Sequence, residues 1–540
     1  MYTELPFCFI QTQGSSDACF MRVMQRFSVN LLQDVFAMML KCLLDGLPYQ
    51  CLMGDLDTEI KDLKTDSRKL EEGDLFIALK GLTTDGHAYL DQAANRGAVA
   101  ALVERPLENP GILGLSCVVL VEGLSDQLAL IGSRFYQEPS NALNVIGITG
   151  TNGKTSVAQM LADALESQGK RIGVLGTIGN RIGDQFFETQ NTTLEPVGLQ
   201  RLFRQAVDHD VTHLVMEVSS HGLALGRVDF THFRCAVFTN LTEDHLDFHG
   251  DMEAYFQAKA TLFTLNEGAA VINASDPYGK RLIEQLRRTG RPVLTYGVTG
   301  DCDFRASQIS WTQTGTVFTL TMPDGQLKVQ VPGLGRIQVL NALAVFAALS
   351  ALGFNKEAIA ASAGSLKAVP GRMERIKGSW PFDVFVDFAH TPDALKNVLE
   401  IARELTRGKL IVVFGCGGDR DRGKRPVMGR LAAELADQVY LTSDNPRSED
   451  PEAILKEILA GIPEYFMDKV TVEDDRHLSI FLAVEGLQPG DVLIIAGKGH
   501  ETYQIIGTTK HHFDDREEAE RALYFWKRLS QSRGMETQLG

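Results

Sequence analysis

The sequence predicts an α/β protein with three domains: a small N-terminal α/β domain, a central P-loop-type domain on a doubly wound parallel sheet, and a C-terminal Rossmann-like α/β domain. Three observations carry this reading. The chain has 540 residues, enough for about three cores at roughly 100–200 residues each. Short apolar runs alternate with helical patterns along most of it, the signature of parallel strands joined by crossover helices. A glycine-rich turn, GITGTNGKT over 147–155, stands between a buried run and a helical pattern. The expected division is a poorly patterned extension over 1–40, then domains over 41–141, 142–369 and 370–540.

In the first domain, TDSRKLEEGDLFIAL (65–79) holds a turn at 71–74 and an apolar strand at 75–79. A helix over 89–96 and strands near 99–103 and 117–121 complete a small unit. In the second, strands at 144–149, 172–175, 213–218, 236–239 and 270–273 alternate with helices, the first of them over 154–168. From 304 to 331 the period becomes two, with turns at Thr314-Gly315 and Asp324-Gly325, which predicts an antiparallel appendage. A helix over 337–351 follows, and Val369-Pro370-Gly371-Arg372 punctuates the chain as a linker. In the third domain, strands are expected at 384–388, 410–414, 438–442, 470–472 and 492–495.

Composition bounds the function. Hydrophobic residues make up 44% and charged residues 23%, so the chain is globular. Its net charge of −16 disfavours nucleic acid and anionic membranes as partners. Eight cysteines without a CxxC pair read as reduced thiols, which points to the cytoplasm. No apolar run reaches the ~20 residues of a membrane helix. The nearest, 30–47, is interrupted by Gln33, Asp34, Lys41 and Asp45, and it lacks the plan of a secretory signal. Met24, Met38 and Met39 are alternative starts.

The glycine-rich turn is the most specific motif. Its glycines let backbone N–H groups crowd around phosphate oxygens, and the following helix N-terminus adds a favourable field. Lys154 supplies charge for β- and γ-phosphates, and the Thr155 hydroxyl is a Mg²⁺ ligand type. Gly150, Thr151, Asn152, Gly153 and Ser156 complete the nucleotide-binding segment. Gly147 stands one residue further out than the strict phosphate-loop pattern allows, so the loop is a variant.

Two further strands end in polar residues, where open parallel sheets place ligands. THLVMEVSSHG (212–222) presents Glu217 as a metal-binding carboxylate; the plainer reading is a cap on the next turn. AVFTNLTEDHLDFHG (236–250) presents His245 as a metal ligand; the plainer reading is a solvated loop histidine. Lys259 falls on a helix beginning near Asp251, and by residue type alone it reads as a solvated charge.

Taken together, GITGTNGKT, MEVSSHGL, FTNLTEDHLDFHG, PGRME (370–374), DFAHTPD (387–393) and GCGGDRDRGKRP resemble the Mur ligase family, in order and spacing, from about residue 65 to 503. The resemblance implies an amide-bond-forming reaction on UDP-N-acetylmuramoyl-L-alanyl-D-glutamate. ATP phosphorylates the D-glutamate γ-carboxylate, and the amine of an incoming amino acid displaces the phosphate. It implies ATP and Mg²⁺ as cofactors and a CO₂-derived carbamate on Lys259, which turns that cation into an anionic metal ligand beside Thr155, Glu217 and His245. Ser67, Leu82, Thr83 and Thr84 resemble the uridine-nucleotide contacts. Asn191, Thr192, Thr193, Ser219 and Arg227 resemble the muramoyl-peptide contacts. Arg372, Asp387 and His390 resemble groups that close on ATP from the third domain, which is expected to swing in. Asn341 resembles an adenine contact, although Ile337 and Gln338 depart from the Phe-Asn common in the family.

SDNPRSE (443–449) resembles the motif of the branch that adds meso-diaminopimelate. Arg447 forks onto a distal carboxylate, and Asp444 or Asn445 meets the amine, with Pro446 shaping the turn. Lysine lacks that carboxylate and would leave the arginine facing an ammonium. Arg420 resembles a second clamp, and Gly497 and Glu501 resemble the rest of the pocket. The four cations from Arg420 to Arg425 read together as an anion site. The expected partners are therefore small molecules, with no nucleic acid, no membrane insertion and a monomeric state. The competing readings are a lysine-adding ligase, a folylpolyglutamate synthetase and a non-catalytic nucleotide switch.

Overall fold

In the computed structural model, residues 37–81, 84–112, 114–189, 191–265, 267–312 and 315–536 are described. Leu82, Thr83, Thr314 and residues 1–36 of the extension expected over 1–40 lie outside the described residues. Met38–Met39 already pairs antiparallel with Glu59–Ile60, and Leu40 opens a short helix, so 38–40 do not belong to an unpatterned extension.

The chain divides after Tyr136 into two compact units. In the first, the apolar runs Leu75–Ala78, Ala100–Val103 and Cys117–Val121 form parallel neighbours, with Leu63–Lys64 at one edge and the antiparallel Tyr49–Gly54 at the other. The helix Leu90–Asn95 buries Leu90 and Ala93 against this sheet's core.

Among the described residues, the second unit holds an eleven-stranded and a six-stranded sheet, with a separate two-stranded hairpin. The larger runs parallel from Ile172–Gly176 through His213–Glu217, Asn144–Thr149, Phe233–Phe238, Ala269–Asn273 and Val293–Gly297 to Phe304–Thr312. It ends in the antiparallel strands Gly315–Met322 and Gly325–Val331, as the period-two pattern predicts. Period-two alternation splits each parallel strand between two cores. Ile146 and Ile148 face Val157, Leu161 and Phe346 on one side, while Val145 and Leu214 face Phe203, Phe256 and Phe263 on the other. The helix Arg336–Ala351 is apolar on all sides, and Ala342–Leu349 is wholly buried between the sheet and neighbouring helices.

The smaller sheet has the order Glu374–Arg375, Asp383–Asp387, Val492–Ala496, Leu410–Phe414, Gln438–Leu441 and Val470–Val472, parallel apart from its first strand. Helices cover both faces: Leu395, Leu399 and Met428 pack on one side, and Ile480, Val484 and Leu523 on the other. Among the features that escape the sequence pattern are the hairpin Gly179–Ile182 with Gln185–Phe187, the strand Val293–Gly297, the hairpin Tyr503–Ile506 with Thr509–His512, and the edge strands Tyr49–Gly54, Leu63–Lys64 and Glu374–Arg375. Both hairpins turn on a two-residue loop beginning with glycine, Gly183 and Gly507, and that spacing is the signal that reveals them. No helix among the described residues is long and apolar enough to cross a membrane.

Phe346 is 0% exposed at the centre of the larger core. Phe346→Ala is expected to cost ~3–5 kcal/mol by lost transfer energy and residual cavity, read as a lower midpoint in urea unfolding. A change below about 1 kcal/mol would mean that the core collapses freely around the gap.

Candidate active site

The carboxyl ends of the parallel strands assemble the site. Asn144–Thr149 runs directly into the glycine-rich turn, which wraps the start of helix Lys154–Ser167. Gly150 has φ +148°, and a Cβ there would fall 1.9 Å from Thr239 Oγ1, so no larger residue fits. The loop is stitched to the next strand end: Asn240 accepts from Thr151 N and Asn152 N, each at 2.9 Å. Lys154 folds back so that Nζ donates to the carbonyls of Gly150 and Thr151, both at 2.9 Å.

Thr155 donates from Oγ1 to Glu217 Oε2 at 2.9 Å. Glu217 also accepts from Thr177 N at 2.8 Å and Thr177 Oγ1 at 3.1 Å. Lys259 corrects the reading by residue type. It is 2% exposed, donates to Gly150 O at 2.9 Å, and lies 4.6 Å from the centre of the Tyr255 ring. Burial first, then the neighbouring Lys154 cation, push its pKa well below the ordinary lysine value. His245 sits at φ 55° with Nε2 3.3 Å from Asp244 Oδ2, and the His221 ring meets it edge-on at 4.8 Å. Burial lowers its pKa to about 4.

These donors fit a hard divalent cation. Thr155 and Glu217 offer neighbouring oxygens, and His245 is held as the neutral imidazole that coordinates metals. Lys259 is held toward the free amine that a carbamate requires. Among the described residues no three His, Cys, Asp or Glu side chains converge as a ready-made metal cluster.

Beside the loop is a narrow cavity of about 60 Å³, lined by Asn152, Gly153, Ser156, Gln338 and Asn341 on the central side and by Arg372 and Asp387 beyond the linker. Ile337 lines it too. Asn341 Nδ2 is buried with no partner. Arg372 donates to Thr155 Oγ1 at 3.3 Å and stacks 4.7 Å over the Phe388 ring. Asp387 accepts from Met373 N at 2.6 Å, and burial raises its pKa to about 6 against the pull of Arg372. His390 Nδ1 lies 2.8 Å from Phe388 O, and burial lowers its pKa to about 4. Asn152 Nδ2 donates to Asp393 Oδ2 at 3.0 Å, so the segment after the linker already touches the loop.

A second cleft, of about 320 Å³, has Thr192, Asp244, His245 and Asp247 on one wall. The other wall carries Arg420, Lys424, Asp444, Asn445, Arg447, Gly497 and Glu501. Arg447, at φ 51°, donates from Nη1 to Gly418 O at 2.8 Å. Arg420 lies near enough to Arg447 that burial and this second guanidinium both lower its pKa. Asn445 Nδ2 donates to Glu501 Oε2 at 2.9 Å, and Asp444 Oδ2 is buried without a partner. Pro446 is buried behind them. On this wall the guanidiniums of Arg420 and Arg447 and the carboxylates of Asp444 and Glu501 match a ligand carrying both a carboxylate and an ammonium.

The cation run over 420–425 is not a single anion site. Arg422 pairs with Glu457, and Arg425, 0% exposed, is held by Glu449 and Glu457, so only Arg420 and Lys424 face the cleft. Arg420 and Arg422 lie in the loop before helix Lys424–Leu435, and Lys424 and Arg425 on its first turn. Elsewhere, Thr193 Oγ1 donates to Glu217 O at 3.1 Å, and Ser219 caps the helix Ser220–Ala224. Arg227 donates to Thr193 O at 2.9 Å and pairs with Glu195, and Asn191 is exposed. In the first unit, Ser67 is buried and donates to Gln92 Oε1 at 2.8 Å, while Thr84 is exposed.

Three family models match successive segments: the Mur ligase family catalytic domain over 59–133, the Mur ligase middle domain over 148–349, and the Mur ligase glutamate ligase domain over 371–499. The chain belongs to the Mur ligase family. Among its relatives is a UDP-N-acetylmuramoyl-L-alanyl-D-glutamate–2,6-diaminopimelate ligase of Synechococcus elongatus, 46% identical, covering 90% of this chain and 99% of the relative. One of the same name from Geobacter metallireducens is 45% identical over 87% of this chain and 95% of its own. A solved structure of a ligase with that name has a TM-score of 0.63 at 34% identity, covering 90% and 99% of the two chains. MurF ligase from Thermotoga maritima in complex with ADP shares the Mur ligase fold, with a TM-score of 0.61 at 21% identity and coverage of 87% and 98%.

Sequence reasoning about this Mur ligase names neither Asp244 nor Lys498, and it includes Lys424 only as one of four cations in a run. Asp244 precedes His245 in the same motif, and Lys424 lies within the cation run. Lys498 stands between Gly497 and Glu501; it is 0% exposed and donates to Asn445 Oδ1 at 3.1 Å. Its motif, AGKGHE, was read only for its flanking residues.

His245, His249, His390 and His500 all have pKa values lowered to about 4, chiefly by burial, against an ordinary 6.5. Between those values the unfolded chain binds more protons, so these groups withdraw stability as pH falls from 6.5 to 4. Asp387, raised from 3.8 to about 6, acts in the opposite direction over nearly the same window, as do Asp74, Asp163, Asp229, Asp276 and Glu501, which burial also raises, while His213 and His221, lowered by burial, act with the four histidines. Urea midpoints are expected to fall on acidification through this window, with a shallower fall in His390→Gln. An equal fall in His390→Gln and the unaltered chain would contradict a lowered pKa at His390.

Proposed function

We infer that this Mur ligase is an ATP-dependent acid–amino-acid ligase that adds meso-diaminopimelate to UDP-N-acetylmuramoyl-L-alanyl-D-glutamate through an acyl phosphate, making a peptidoglycan precursor. The observation that carries this reading is the cleft in which Arg420, Arg447, Asp444 and Glu501 gather beside the phosphate loop. The names of relatives 42–46% identical over most of the chain support the same substrates.

The chemistry follows from what the side chains offer. A carboxylate is a poor electrophile, and phosphorylation gives it a leaving group. The incoming amine forms the amide bond as the C–O bond to phosphate breaks, and it sheds a proton. No protein nucleophile is required, so the protein positions the reactants and neutralises charge. Lys154 exchanges its two carbonyl partners for the β- and γ-phosphates, and Arg372 adds a second cation from across the linker. Gly150, Thr151, Asn152, Gly153 and Ser156 present the loop to the phosphates, and Asn341 offers its unpartnered amide to the base. Asp387 and His390 hold the far wall. Thr155, Glu217, His245 and a carbamate on Lys259 would hold Mg²⁺, which supplies positive charge against the transferring phosphoryl group. The 60 Å³ cavity is well below the ~300 Å³ of an ordinary ligand site, so the segment carrying Arg372 and Asp387 must move outward to admit a nucleotide.

At the other end, Arg420 and Arg447 take the distal carboxylate of diaminopimelate, and Asp444 and Glu501 take its ammonium, with Asn445, Pro446 and Gly497 shaping the pocket. Asn191, Thr192, Thr193, Ser219 and Arg227 are assigned to the muramoyl-peptide, and Ser67, Leu82, Thr83 and Thr84 to the uridine nucleotide. A monomer working in the cytoplasm completes the proposal.

Phosphate release from ATP with the UDP-muramoyl-dipeptide is expected to be much faster with meso-diaminopimelate than with L-lysine or no amino acid, with a tripeptide product by mass. Arg447→Leu should lower kcat/KM for diaminopimelate by roughly 10²–10³-fold, as for a charged hydrogen-bonded pair worth ~3–4 kcal/mol. Faster turnover of lysine by the unaltered enzyme would sink the pocket assignment but keep the ligase. No release with any amino acid would sink the ligase.

A further inference from the structure

Behind the amino-acid cleft lies a buried ion pair that does not line it. Arg476, first residue of helix Arg476–Glu485, is 1% exposed. Its Nε and Nη2 donate to the two oxygens of Asp515, each at 2.7 Å, and Asp515 is 0% exposed at the start of the C-terminal helix. The same guanidinium reaches two backbone carbonyls: Nη2 donates to Ala496 O at 2.9 Å and Nη1 to Ser443 O at 3.4 Å.

Those carbonyls stand at instructive places. Ala496 immediately precedes Gly497, and Ser443 immediately precedes Asp444. They lie at or just past the carboxyl ends of the strands Val492–Ala496 and Gln438–Leu441, which are not neighbours, because Leu410–Phe414 runs between them. No ladder hydrogen bond fixes how far apart the two ends sit once the intervening strand has stopped. The planar guanidinium spans that gap, and Asp515 fixes its orientation by a two-point contact. The spacing it sets is tight: a Cβ on Gly497, at φ +116°, would lie 2.6 Å from Asp444 Oδ2. That oxygen is buried with no protein partner, so its direction is free to serve a ligand only while the two strand ends are held.

We propose that Arg476, oriented by Asp515, is a positioning residue for the amino-acid end of the site, holding Asp444 and Gly497 at the separation that recognises the ammonium of the incoming amino acid. The proposal rests on the assignment of that cleft to diaminopimelate. It differs from simple structural support in being local: Arg476 touches neither the phosphate loop nor Arg372, so loss of its fork disturbs one substrate and not the others.

The test uses the full chain with Arg476→Lys, which keeps the charge but loses the fork, and Asp515→Asn, which keeps the shape but loosens the guanidinium. Steady-state phosphate release is measured while ATP, UDP-muramoyl-dipeptide and meso-diaminopimelate are varied in turn, with thermal unfolding alongside. The expected result is a KM for diaminopimelate raised roughly tenfold or more in both variants, with the other two KM values within about twofold of the parent. An unmoved diaminopimelate KM in either folded variant overturns the proposal. So do three KM values rising together, which would be the mark of general loosening. Where Arg476→Lys does not fold, Asp515→Asn alone decides between these outcomes. Failure of the unaltered enzyme to use diaminopimelate would instead overturn the pocket assignment itself.

Discussion

A parallel sheet delivers the carboxyl ends of all its strands to one edge, where the ladder stops and backbone groups need new partners. In the second unit this happens twice, and everything chemical in the site is an answer to it. The phosphate loop satisfies the end of Asn144–Thr149 and is tied to Asn240 at the next strand end. Thr155 and Glu217 meet across two adjacent strand ends. In the smaller sheet, Asp387 ends its strand, Asp444 and Gly497 lie just past the ends of theirs, and all three line the clefts. The site is therefore built from termination chemistry, with the paired apolar strands behind it providing the rigidity.

Charge shows which effect wins at each position. The chain is acidic, yet its clefts collect Lys154, Arg372, Arg420, Lys424 and Arg447. Burying an ion costs several kcal/mol, and a buried cation survives only with anionic partners and satisfied protons. Arg425 has Glu449 and Glu457, and Arg476 has Asp515, so both remain charged and act as fixed points of the fold. Lys259 donates to the Gly150 carbonyl and lies over the face of Tyr255, and the pull of Asp244 on it is weaker than burial and the repulsion of Lys154. A neutral hydrogen bond returns about 1 kcal/mol net, too little to offset that burial, so the ammonium is the disfavoured state. Two buried cations in one molecule thus have opposite fates because one was given a hydrogen-bonded carboxylate and the other was not.

Much of this was legible in the residues. Apolar runs such as 410–414 and 492–495 fall on the strands Leu410–Phe414 and Val492–Ala496, because fully buried parallel strands need continuous aliphatic sequence. The glycine-rich turn, Glu217 at a strand end and His245 after another were placed by the same logic of pattern change. The short hairpins escape any count of period, because Gly179–Ile182 and Tyr503–Ile506 are four residues each, and the glycine loops alone mark them. Burial of an individual polar residue was not legible either. Lys259 occupies an ordinary helical position, and only packing of that helix against the loop encloses it. The cation run over 420–425 is uniform as sequence, and the carboxylates Glu449 and Glu457, brought in from 24–35 positions away, take Arg422 and Arg425 into salt bridges and leave Arg420 and Lys424 to the cleft.

The sequence by itself determined the fold class, the order of the strands' chemistry and the residue types available for phosphate, metal and amino-acid binding, because these follow from local pattern and covalent order. The tertiary structure decided which of those residues meet. It put Arg372 on Thr155 across 217 positions of chain, enclosed Lys259, withdrew Arg425 from the cleft, and set Asp444 against Gly497 by way of Arg476. Such meetings depend on loop closure over long separations and on the desolvation of particular groups, and neither quantity is a property of any local stretch of sequence.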